Sequence, residues 1–149
     1  MIDMYWSAVA ILKNRPEATV EVTMLVRRWV KRVGITRLRL GTHLPCPAAT
    51  MRNLNTMADA VADAYDAMIA NLTAAHKGEL TDIANAYNAE ERLNSLRNNL
   101  RDAMIEDIED GTNNYQTSVY YMDIINQYER MGDFMINISQ DLERAFVKR

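Results

Sequence analysis

In this chain of 149 residues, two pairs of oxygen-bearing side chains could do chemistry: Glu90 with Asn94, and Glu129 with Asp133. Each pair is spaced four apart, so on a helix both members point to one side. Each also interrupts an apolar line. The line Ile83, Tyr87 continues to Glu90 and Asn94 before Leu93 and Leu96 take over, and the line Val119, Met122, Ile125 continues to Glu129 and then Gly132-Asp133. Carboxylates set beside an apolar face are costly unless paired, hydrogen-bonded or bound to metal. Clusters of oxygen donors suit hard cations or iron. The pattern therefore raises a metal site ligated by Glu90, Asn94, Glu129 and Asp133, holding a divalent, iron or zinc ion. The competing reading places these groups at the edge of the stripe, paired with arginines such as Arg92, Arg97 or Arg130. The rarity of unpaired buried charge favours it.

Other candidate chemistry is thinner. Asp59, Asp63 and Asp66 form an acidic row interleaved with alanines and read as a solvated helix face, as does the ladder Asp102, Glu106, Asp110. Tyr115, Tyr120, Tyr121 and Tyr128 read as core or interface residues. Neither His43 nor His76 lies in a Glu-x-x-His or His-Glu-x-x-His setting, and no glycine-rich phosphate loop is present. Cys46, between Pro45 and Pro47, has no catalytic setting and reads as a plain thiol. With no nucleophile set beside a base, the expectation is a protein that is not an enzyme.

The elements that would position these groups are helices. Met51, Leu54, Met57, Val61, Tyr65, Met68, Ile69 and Leu72 keep one apolar stripe over more than six turns, followed by His76-Lys77-Gly78. A second stripe runs Leu80, Ile83, Tyr87, Leu93, Leu96, Leu100, Met104 and Ile108 to the turn at Glu109-Asp110-Gly111. A third takes in Val119, Met122, Ile125, Gly132 and Ile136 and closes on Arg144, Lys148 and Arg149. Three long helices joined by short turns pack antiparallel, the first parallel to the third. Gly132, mid-helix, costs about 1 kcal/mol relative to alanine and implies a close neighbour. The expected fold is all-α, an antiparallel three-helix bundle over residues 48–149.

Residues 1–47 read as a separate N-terminal segment, part helical and part extended. Ile2, Tyr5, Trp6, Val9 and Leu12 keep helical spacing up to Pro16, and Val22, Leu25, Val26, Trp29, Val30 and Val33 keep it again up to Gly34. Thr19–Val26 also fits a strand, being rich in valine and threonine. Ile35–Leu40 alternates apolar and basic residues like a short strand or connector, and the run from Gly41 to Pro47 is a break. Charge divides at the same place. Residues 1–47 hold 8 Lys/Arg against 3 Asp/Glu, and residues 48–149 hold 9 against 17, so +5 faces −8 within a net charge of −3. The basic part could face a membrane surface, an acidic partner, or the acidic bundle of its own chain.

Apolar runs around Ser7–Leu12 and Met24–Val26 are far shorter than the ~20 residues of a span. The start, Met1-Ile2-Asp3-Met4-Tyr5-Trp6, lacks the basic lead of a signal peptide. One cysteine excludes an internal disulfide and fits a reducing compartment. The expectation is a cytoplasmic location. Asn71-Leu72-Thr73 and Asn137-Ile138-Ser139 match the glycosylation sequon but fall inside helical patterns, and we take them as chance.

The run Tyr128-Glu129-Arg130-Met131-Gly132-Asp133-Phe134-Met135-Ile136-Asn137-Ile138 resembles the Glu-Arg-Ile-Gly-Asp…Asn-Ile signature of PhoU-family proteins, which lies on the third helix of a three-helix repeat. Glu90-Glu91-Arg92-Leu93-Asn94-Ser95-Leu96 is similar to the second-helix acidic motif of that family, with Asn94 where the family has aspartate. The run Gln116–Ile125 resembles the PhoU-like cytoplasmic tails of bacterial sodium/phosphate cotransporters. The likeness covers about residues 48–147, one repeat where free-standing members usually carry two. It implies a non-enzymatic regulatory domain associated with phosphate uptake, the cytoplasmic part or partner of a sodium/phosphate cotransporter at the inner face of the membrane. It also implies metal held by Glu129, Asp133 and Glu90, with Asn94 a weaker donor. Its partners would be a membrane phosphate transporter or sensor and, to complete the single repeat, a second copy in a homodimer, with no nucleic acid. The rival expectation is a helical interaction or scaffold bundle without metal.

Overall fold

The computed structural model describes residues 48–147 and, ahead of them, Arg28, which is helical and exposed. The remaining expectations for residues 1–47, and those for Lys148 and Arg149, lie outside the described residues. Three helices make up residues 48–147: α1, Ala48–Lys77; α2, Ala84–Glu109; and α3, Tyr115–Phe146. All three pack against one another, and the described residues contain no strand. No helix among them is long and apolar enough to cross a membrane.

The expected stripe on α1 is the core. Leu54, Met57, Val61, Tyr65, Met68 and Ile69 are all buried, and full burial of such side chains stabilises by about 1.5–3 kcal/mol each. His76 and Lys77 occupy the last turn, where cations meet the negative end of the helix. Gly78 then takes a positive φ of 73°, and the Glu79 amide donates to the Ala74 carbonyl at 2.8 Å, which satisfies a terminal acceptor.

The second stripe needs correction at its start. Leu80 precedes the helix, which begins at Ala84. Local side chains set that boundary: Asp82 Oδ1 accepts from the Ala84 amide at 3.0 Å and Asn85 Oδ1 from the Ala86 amide at 2.8 Å. The buried line on α2 is Ala86, Leu93, Leu100 and Met104, while Tyr87 is 43% exposed. Ile83, Ala86 and Ile136 form a small satellite cluster with Leu80 against it.

Asn114 caps α3, its side chain accepting from the Gln116 amide at 2.8 Å. The preceding turn is tied by the Asp107 carbonyl, which accepts from the amides of Thr112 and Asn113. The third stripe also shifts. Ile125, Gly132 and Ile136 are buried, Met122 is half-buried, and Val119 is exposed. Tyr121, Ile124 and Tyr128 supply the bulk at that end of the core.

Side-chain contacts give the order of the packing. Asn85 reaches the Ala67 carbonyl at 3.4 Å and Arg92 reaches Asp63 at 2.7 Å, so positions rise along α2 as they fall along α1. Tyr87 meets Glu143 and Arg97 meets Glu129, the same reversal between α2 and α3.

Candidate carboxylate site between α2 and α3

Gly132 fixes the register between α2 and α3. A Cβ at that position would lie 2.5 Å from Leu93 Cδ1, so the missing side chain admits Leu93 against the α3 backbone. From this level the four candidate residues can be placed. With about 1.5 Å of rise per residue, Glu90 lies one turn to one side of the crossing and Glu129 one turn to the other. The two are separated by about 9 Å along the bundle.

Their surroundings differ. Glu129 is half-buried, and its Oε1 accepts a charge-assisted hydrogen bond from Arg97 Nη1. The side chains of this pair are 28% and 20% exposed for Arg97 and Glu129. Arg97 Nε, by contrast, is buried without a hydrogen-bond acceptor among the described residues. Glu90 and Asn94 are half-buried beside the α2 stripe, about 60° and 100° round the helix from Leu93. Asp133 is exposed. The structure therefore brings Glu129 together with Arg97, one of the three arginines the sequence offered. Arg92 instead pairs with Asp63 of α1, and Arg130 is exposed. Among the described residues no group of three or more His, Cys, Asp or Glu side chains is placed to hold a metal ion.

Glu90 has a different neighbour. The Tyr87 hydroxyl donates to Glu143 Oε2 at 3.3 Å. Partial burial of the phenol, the charge and hydrogen bond of Glu143, and the charge of Glu90 raise the Tyr87 pKa above its ordinary value of 10.0, against the opposing pull of Arg144. One end of the α2–α3 seam thus sets Glu90 and Glu143 about Tyr87 with Arg144 opposing them, while the middle carries the Arg97–Glu129 pair.

Two features escaped sequence reading. Asn71 Nδ2 donates to Ser139 Oγ at 3.3 Å, and both side chains are buried. Removing one partner of such a bond would cost about 1–3 kcal/mol. Its only trace in the sequence is a polar residue between Ile69 and Leu72 on the α1 stripe. The acidic row of α1 is also less solvated than expected. Asp59, Asp63 and Asp66 are half-buried, whereas Asp102, Glu106 and Asp110 are exposed as expected. No family model, curated protein or solved structure matches the chain.

Proposed function

We propose that residues 48–147 form an antiparallel three-helix module that works by docking to other proteins, without catalysis and without a bound metal. The observation that carries the metal-free part of this reading is the Glu129–Arg97 pair. A carboxylate already neutralised by a guanidinium has its charge satisfied at lower cost than by recruiting a cation, and Arg97 would have to leave before a metal could enter. The reversed order of contacts along α2 against both α1 and α3 supports the antiparallel arrangement. Elemental analysis of protein purified without chelators tests it. Metal well below one equivalent is expected; near-stoichiometric metal, lost on combining Glu129→Ala with Asp133→Ala, would overturn it.

A second reading keeps the PhoU likeness and makes the chain a cytoplasmic regulator of phosphate uptake, docking as a dimer on a membrane transporter or sensor. What favours it is the close seat of Leu93 against Gly132 within the Glu129–Asp133 run, with Glu90 and Asn94 half-buried on the facing helix. In this form Glu129, Asp133 and Glu90 would hold the ion that the likeness implies. The same elemental analysis separates the two.

A further inference from the structure

The turn end of the α2–α3 hairpin carries apolar side chains that the bundle leaves in water. Ile105 is 47% exposed, Val119 49% and Tyr115 73%. The register brings them together. Counted from the contact of Leu93 with Gly132, Ile105 lies twelve residues on along α2 and Val119 thirteen back along α3, levels of about 18 Å and about 20 Å. Ile105 is turned about 120° round α2 from Leu93, in the sense of Arg97, and Val119 about 140° round α3 from Gly132, in the sense of Glu129. Arg97 and Glu129 meet across the seam, so Ile105 and Val119 border the outer groove between the two helices. Ile108 and Met122, turned less far and half-buried against the core, floor that groove, and Tyr115 stands at its turn end. Apolar residues scattered singly on a surface need no explanation, but a contiguous group marks a contact surface.

The border of the groove is acidic. Residues 102–128 contain Asp102, Glu106, Asp107, Glu109, Asp110 and Asp123 and no lysine or arginine. Asp102, Glu106, Glu109 and Asp110 are exposed. Arg101, just outside this run, is turned to Asp102 at 3.2 Å. On the docking reading of the bundle, we propose that this groove receives a basic amphipathic helix of a partner protein. Its apolar line would lie against Ile105, Val119 and Tyr115, and its lysines or arginines against the acidic border. From Met122 to Tyr115 the groove runs about 10 Å, two helical turns, which matches apolar anchors spaced i, i+3, i+4 and i+7 on a partner helix. Charge decides between occupants. A second copy docked symmetrically through the same groove would set the acidic border against itself, and an anionic lipid surface would be repelled in the same way.

The probe is a labelled synthetic helix with leucines along one face and lysines on the other, titrated into the full chain by fluorescence anisotropy. It is expected to bind, and Ile105→Ser combined with Val119→Ser should weaken that binding at least about tenfold. Phe134→Ser should leave it unchanged, because it removes an apolar side chain, 65% exposed, from the opposite side of α3. Glu106→Gln with Glu109→Gln keeps every apolar side chain in place and should weaken binding severalfold, so the charge requirement is read even if the double serine chain fails to fold. The same helix with glutamates in place of lysines should not bind. No binding of the lysine helix, binding indifferent to both double substitutions, or equal binding of the glutamate helix would overturn the proposal. A chain that dimerises in sedimentation through Ile105 and Val119 would overturn it too, by giving the groove to a second copy. Binding lost on Phe134→Ser alone would overturn this groove while leaving the docking function standing; that function is refuted separately, by stoichiometric metal in the elemental analysis.

Discussion

Replacing Gly132 by alanine tests the packing register on which the placement of Glu90 and Glu129 rests. The backbone there is helical, so alanine brings no conformational strain and gains about 1 kcal/mol of helix propensity. Against this stands the new methyl, 2.5 Å from Leu93 Cδ1 and 3.7 Å from Cγ, where carbon atoms prefer about 3.5–4.0 Å. Leu93 is 2% exposed and cannot swing its end into water. Overpacking of this kind costs about 1–3 kcal/mol, so Gly132→Ala is expected to destabilise by about 0–2 kcal/mol. Leu93→Ala alone should cost about 2–5 kcal/mol. In the Leu93→Ala background the clash is gone, and Gly132→Ala should become stabilising by about 1 kcal/mol. The reversal of sign is the diagnostic, read as a coupling of about 1–3 kcal/mol in a double-mutant cycle of urea unfolding. If Gly132→Ala stabilised equally in both backgrounds, the close approach, and the levels assigned from it, would be refuted.

Arg97→Met should destabilise by about 1–3 kcal/mol, because Glu129 is left half-buried without its cation. Adding Glu129→Leu should recover most of that loss, since it removes the carboxylate left without its cation and makes the pair apolar; urea unfolding of the three variants checks both. Tyr87 should titrate above the usual phenol range in the ultraviolet, and Glu143→Gln should lower its pKa. A phenol whose folded pKa lies above its unfolded value adds stability below pH ~10 that is lost as pH rises through the folded pKa. Tyr87→Phe should therefore flatten the alkaline limb of the stability profile.

The long stripes made α1 and α3 legible from sequence alone, because a line such as Leu54, Met57, Val61, Tyr65, Met68 allows few alternatives to a helix. The start of α2 was not legible. Leu80, Ile83 and Tyr87 have helical spacing, yet Asp82 and Asn85 tie up the first amides, and Ala86, too small to register as an anchor, packs beside Ile83 while Tyr87 stays exposed. That misplacement carried forward. The line drawn through Tyr87 led to Glu90 and Asn94, which flank the buried face, while the true line runs through Leu93. The competing arginines were visible, but the choice of Arg97 for Glu129 depends on the crossing at Gly132, a three-dimensional fact. Asp59 and Asp66 looked solvated because alternation with alanine offers no apolar line, yet both are half-buried on α1.

The most direct test of the central claim, that Glu129 is held by Arg97 and is not a metal ligand, is the melting temperature of the full chain. It would be measured in chelator and again with zinc, iron(II) or manganese in excess. The two are expected to coincide. A metal present at a hundred times its Kd would add about 2.7 kcal/mol, a rise of about 5–10 °C for a chain of this size. Such a rise, abolished by Glu129→Ala, would contradict the claim.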